Sequence, residues 1–209
     1  MKTRSKALLL SLCAVLLVAA SVLGTMAYLT DSETVTNTFT VGQVHLTLDE
    51  ADVKPDGTYK TDKSARVIEN EYHLIPGHTY IKDPTVHVDA NSEDCYLFVK
   101  VENGIAAIET KETGKTIADQ MTELNWVKVD GIDVNDLYVL VKGSENPYAV
   151  SKGANVVVFE NFTIDGNSVD NDLIAKYTEA EITVTAYAVQ KAGFENQTPA
   201  EIWNATFGA

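Results

Sequence analysis

Four histidines, His45, His73, His78 and His87, are the first residues to weigh for chemistry. A zinc protease of the common kind needs two His one helical turn apart with a Glu between them. That spacing sets both imidazoles on one helix face with a base beside the metal. None of the four is followed by Glu, and none lies in a helical pattern. His78 and His87 stand nine apart in or beside a strand, where an odd spacing points side chains to opposite faces. All four read as satisfied core or surface histidines. Cys95 opens the apolar run Cys95-Tyr96-Leu97-Phe98-Val99 among acidic neighbours, surroundings that disfavour a thiolate and suit a small buried hydrophobe. Cys13 lies in an N-terminal apolar run, preceded by Leu12 where a lipobox wants Gly or Ala. No Gly-x-Ser-x-Gly elbow, Walker loop or dinucleotide glycine pattern occurs. One cluster offers hard oxygen ligands to Ca²⁺: Asp165, Asn167, Asp170 and Asp172. Its spacing departs from the calcium loop with a central Gly and closing Glu, so a solvated acidic turn is expected. The residues therefore predict no catalytic site, no cofactor and no dedicated metal centre.

The elements that would carry these residues are mostly strands. Thr38–Leu48 alternates Val44, Leu46 and Leu48 against Gln43, His45 and Thr47, the pattern of a half-buried strand. Residues 51–65 are polar, with Pro55-Asp56-Gly57 as a turn. A short strand is expected over Val67–Leu74 and another over His78–Asp89, placed at an edge or bulge because Pro84 cannot donate to a ladder. Cys95–Glu102 is apolar at nearly every position and reads as a central strand buried on both faces. Ile117, Met121 and Leu124 recur at helical spacing. Trp126–Val129 and Asp136–Val141 form a hairpin around Asp130-Gly131, Ala154–Ile164 and Glu181–Gln190 are long strands, and Asp172–Tyr177 is a helical turn. Thr198-Pro199-Ala200-Glu201 is a capping box, and Ile202, Trp203 and Phe207 dock the helix it starts. About eight strands with short turns and no repeat or linker predict an all-β, two-sheet sandwich with short inserted helices.

Ahead of this domain, Lys2, Arg4 and Lys6 precede Ala7–Leu23, a run without a charge, and Gly24-Thr25-Met26-Ala27 supplies small residues for a cut between Ala27 and Tyr28. This is the layout of a cleavable signal helix. Cleavage leaves residues 28–209 as one domain. The chain of 209 residues carries a formal charge of −14; without the leader, 13 basic residues face 30 acidic ones. Such a surface repels nucleic acid and anionic headgroups and suits an exported, soluble protein. Loss of Cys13 with the leader leaves Cys95 alone, so no internal disulfide is expected.

The stretch Gly24–Leu48, GTMAYLTDSETVTNTFTVGQVHLTL, resembles the N-terminal signature of the TasA/camelysin family of secreted bacterial proteins. Tyr28, Asp31, Phe39, Gly42, Val44, Leu46 and Leu48 occupy the signature places. The stretches Pro76–Asn103 and Glu181–Trp203 also resemble it. The resemblance implies a jelly-roll-type sandwich, export through a SipW-type signal peptidase, and a role as a subunit of extracellular or biofilm matrix fibres. In such fibres Tyr28–Leu48 would be an exchangeable strand, passed head to tail to another copy. The expected partners are other copies of the chain and other matrix proteins, with no nucleic acid. A second expectation is a monomeric secreted binding module using Tyr59, Tyr72, Tyr80 and Tyr148 as stacking surfaces. A third, the camelysin-like metalloprotease, finds no ligand set among the histidines.

Overall fold

A computed structural model describes Cys13, residues 15–17 and residues 43–208. The cleavage positions Ala27 and Tyr28 and the signature residues Asp31, Phe39 and Gly42 lie outside the described residues. Among the described residues, no helix is long and apolar enough to cross a membrane.

The chain from residue 43 onward is mostly β-structure with a few short helices. Its strands are β1 (Leu46–Ala51), β2 (Arg66–Val67), β3 (Thr79–Ile81), β4 (Thr85–Val88), β5 (Cys95–Asn103), β6 (Trp126–Lys128), β7 (Leu137–Leu140), β8 (Ala149–Val150), β9 (Asn155–Val157), β10 (Asn161–Thr163) and β11 (Ile182–Gln190). The helices are α1 (Ile117–Glu123), α2 (Asn171–Ile174), continued by a tight turn over Ala175–Tyr177, and α3 (Pro199–Phe207). One sheet has the order β2-β1-β4-β9, a two-stranded sheet pairs β10 with β3, and a third has β11-β5-β7-β6, with β8 also on β5. Every pairing is antiparallel.

The strand β5 is the spine. It pairs with β11 over nine residues, from Cys95↔Gln190 to Asn103↔Ile182. Its alternate side chains serve two different clusters. Cys95, Leu97, Val99 and Val101 face a core shared with Val86 and Val88 of β4 and with Leu46 and Leu48 of β1. Tyr96 and Phe98 face the other way, under Ile202 and Trp203 of α3. This two-sided burial explains why the strand is apolar at nearly every position instead of alternating. The capping box at Thr198 is present in full, with Pro199 in the first turn, so α3 begins where the sequence says it should. Thr116 caps α1 with its side chain alone, accepting from Asp119 N.

Three expectations change. Val67–Leu74 is not a strand: only Arg66 and Val67 pair, and the chain then leaves β1. The Pro84 segment is not an edge, because β4 lies between β1 and β9. Thr79–Val88 and Asn155–Thr163 form one ribbon in a single register, from Thr79↔Thr163 through to His87↔Asn155. Across the interruption Lys82 N donates to Glu160 O at 3.2 Å and Val158 N to Pro84 O at 2.8 Å. Pro84 therefore costs the ladder one donor while its carbonyl still accepts, which an inner strand tolerates. The long strand expected over Ala154–Ile164 is divided at the same place into β9 and β10.

Candidate functional site

Backbone polar groups at sheet edges are this fold's main source of unsatisfied valence, and the two lateral sides of the core treat them differently. At the β9–β10 side the edge is sealed by side chains. Gln120 of α1 accepts from Glu160 N at 3.1 Å and Asn161 N at 3.2 Å and donates through Nε2 to Asn161 O at 2.9 Å. Trp126 Nε1 donates to Val157 O at 2.9 Å. Thr110 N donates to Thr163 O and Asp165 N to Ile108 O, so a further stretch of chain covers β10.

The opposite side is built by β1 and β11, which approach one another there. In β1 the bond from Asp89 N to His45 O fixes which residues face β4. Alternation then assigns Thr47 and Asp49 to that ladder and turns the N–H and C=O of Val44, Leu46 and Leu48 away from it. The strand β2 meets β1 only at Glu50 and Ala51. In β11 the bonds from Lys191 N to Asp94 O and from Gly104 N to Glu181 O set the same rule. The odd-numbered residues bond β5, and the backbone groups of Ile182, Val184, Ala186, Ala188 and Gln190 point outward. Among the described residues, β11 pairs with no strand on that side. The side chains of Ile182, Val184, Ala186 and Ala188 are half-buried against the core, as are Val44, Leu46 and Leu48. An apolar strip flanked by two rows of outward N–H and C=O groups is what an added strand needs: a ladder for its backbone and a core for alternate side chains.

The far end of β1 is fastened. Arg66 donates to Asp49 Oδ1 at 2.8 Å and to Asp83 Oδ2 at 2.7 Å. Asp83 Oδ1 accepts from Ala51 N at 2.7 Å. His87 Nε2 lies 2.8 Å from Asp49 Oδ1, and its Nδ1 lies 2.7 Å from Asn155 Oδ1. Burial pushes the Asp49 carboxyl upward, but the bonds from His87 and Arg66 outweigh it and hold the group below the ordinary carboxylate value. Leu46 and Leu48 thus belong to a strand tied into its own sheet, and Val44 stands just before it.

The other candidate residues are scattered. Asp165 accepts from Asn167 N at 2.9 Å and from Ser168 Oγ, and Asp170 accepts from Leu173 N at 2.8 Å as the N-cap of α2. These carboxylates organise their own turns. Among the described residues no group of His, Cys, Asp and Glu has the geometry to hold a metal ion. His78 Nε2 bonds Asp56 O at 2.8 Å, and His45 Nε2 bonds Gln43 Oε1 at 3.0 Å. Burial, with the charge of Asp94 beside it, pushes the Cys95 thiol up to about 11. Tyr80 is fully buried, stacked on Phe162 with ring centroids 4.9 Å apart, and Tyr72 meets both rings edge-on. Tyr80 is a core residue and offers no exposed stacking surface, a correction to the reading of it as a surface tyrosine; Tyr72 is half-buried against that core, Tyr59 is partly exposed and Tyr148 half-buried. The sealed edge was missed from sequence because Gln120 carries no motif; its only signal is a polar residue on the buried face of an amphipathic helix. No family model matches the chain, and neither a curated protein nor a solved structure matches it.

Proposed function

We propose that the chain is a secreted structural protein, a subunit of extracellular matrix fibres that grow by donor-strand exchange. The observation that carries this reading is the asymmetry of the edges: one side of the core is closed by Gln120 and Trp126, while among the described residues β1 and β11 leave outward backbone groups above an apolar strip. The segment Tyr28–Gly42 stands immediately before the start of that strip and is rich in Thr, Val and Phe. Because residues 43–49 are bonded along β4 and Ser92–Glu93, and Asp49 and Ala51 are fastened by Arg66 and Asp83, the arm passed to a neighbour is Tyr28–Gly42, shorter than the Tyr28–Leu48 segment the signature suggests. A repeated head-to-tail contact of this kind does not close and makes a filament. The jelly-roll topology, cleavage between Ala27 and Tyr28 by a SipW-type peptidase, and residence in a matrix with other proteins belong to the same proposal.

The test is to purify the secreted protein, sequence its N-terminus, and image it by electron microscopy with and without Tyr28–Thr38. Filaments from the protein beginning at Tyr28, and single particles from the shortened one, are expected. Undiminished filament growth without the arm would overturn the reading. Single particles in both cases, retained on isolated matrix, would favour the monomeric binding module.

A further inference from the structure

One carboxylate holds two side chains that are chemically able to react with each other. Glu50 Oε2 accepts from Lys82 Nζ at 2.5 Å, and Glu50 Oε1 accepts from Asn70 Nδ2 at 2.9 Å. Glu50 is 4% exposed. The Asn70 amide is oriented by its whole network: Nδ2 also donates to Ala51 O at 2.8 Å, and Oδ1 accepts from Val53 N at 3.0 Å. Turning the amide over would set two donors against each other at Val53 and acceptors against each other at Glu50 and Ala51. Tyr72 closes one side, its ring centroid 5.9 Å from Lys82 Nζ and its hydroxyl donating to Ile81 O at 3.0 Å. Tyr80 and Phe162 pack behind it.

An amine, a carboxamide and a carboxyl touching both are the complete set for amide transfer. We propose that Lys82 and Asn70 become joined by an intramolecular isopeptide bond, with Glu50 as the catalytic acid and base. Glu50 takes a proton from Nζ, and the freed lone pair attacks Cγ of Asn70. Nζ and Nδ2 sit on the two oxygens of one carboxylate, and the step requires a rotation within the flexible lysine stem that carries Nζ onto Cγ. Val53 N–H already points at Oδ1 and stabilises the negative charge that develops there. Glu50 passes that proton to Nδ2 and then takes the second proton from the attacking nitrogen as the Cγ–Nδ2 bond breaks; ammonia leaves and carries this last proton away from Glu50 as ammonium. One C–N bond forms and one breaks, with no oxidant, metal or cofactor required. Confinement of the three groups in one buried contact supplies the effective concentration that makes such an uncatalysed-looking exchange practicable. The product ties the loop after β2 to the β3–β4 junction, around the end of β1, and the proposal is independent of how subunits assemble.

The experiment is denaturing mass spectrometry of the folded, secreted protein. The intact mass is expected to fall short of the sequence mass by one ammonia, about 17 Da. Trypsin should fail to cut after Lys82, leaving residues 67–100 as one peptide short by the same amount. Lys82→Arg and Glu50→Gln should restore the full mass, with circular dichroism checking that the sheets remain. A full-mass wild-type protein overturns the proposal. So does a light protein that trypsin still cleaves at Lys82, since a succinimide at Asn70 also loses ammonia but leaves the lysine free. The wild-type peptide map decides the matter even where a variant fails to fold.

Discussion

Gly57 shows how a single atom can be excluded. It adopts a positive φ of 76°, and a Cβ there would lie 2.7 Å from the Cα of Tyr80. Gly57→Ala should therefore cost about 2–4 kcal/mol, through backbone strain and displacement of a fully buried aromatic; urea unfolding monitored by tyrosine and tryptophan fluorescence measures it. Asp49 gives a pH prediction at the same scale. Its folded value lies below the ordinary aspartate value, so it contributes stability above that value that is lost as pH falls through the folded one. Asp49→Asn is expected to cost about 1–2 kcal/mol at neutral pH, with the gap to wild type closing as the pH falls through the lowered folded value. A constant gap across that range would show that the carboxylate charge contributes nothing. Tyr80 marks a limit of residue-level reading. Tyrosine carries both an apolar ring and a hydroxyl, so composition cannot say which it will satisfy; here the hydroxyl meets His73 O and Ile75 N while the ring fills the core. Glu50, Asn70 and Lys82 were equally invisible, since no local spacing rule joins residues brought together from a strand, a loop and a strand junction.

Elements whose reasons are local were legible from the chain. The Trp126–Leu140 hairpin, the Thr198 capping box, α1 and the doubly buried β5 all follow from patterns within a dozen or so residues. What was not legible depends on distant partners. Pro84 looked like an edge marker, yet β1 and β9 flank its strand. Strand order and the sealing of β9–β10 also rest on contacts between segments far apart in the chain. The edge geometry yields a paired test in β11. The N–H of Ala186 points away from β5, whereas that of Thr185 bonds it. Ala186→Pro should leave the fold close to intact while blocking an incoming strand, and Thr185→Pro should cost about 3 kcal/mol or more. Calorimetry and filament counts read the two effects separately; filaments at wild-type yield from Ala186→Pro would place the acceptor edge elsewhere. On the closed side, Gln120→Leu strips the partners from Glu160 N, Asn161 N and Asn161 O and should lose about 2–4 kcal/mol, visible as a lower urea midpoint.

At the scale of the whole molecule, the described domain has two apolar clusters, one between the sheets and one beneath α3. The second depends on nine residues of helix. Trp203 packs against Phe98, Tyr187 and Phe207, and Trp203→Ala should cost about 3–5 kcal/mol and uncover the outer face of β5 and β11. Enhanced binding of a hydrophobic dye to the still-folded variant would register that exposure, and an unchanged melting temperature would show the helix to be an ornament.

The inequality of the two lateral sides has a directional meaning. On the proposed assembly, each copy receives at one place and gives at another, so a growing polymer has two chemically distinct tips. A copy stripped of its arm can still be accepted but offers nothing onward. Mixed in at a small fraction, it should act as a chain terminator, shortening filaments far out of proportion to its abundance.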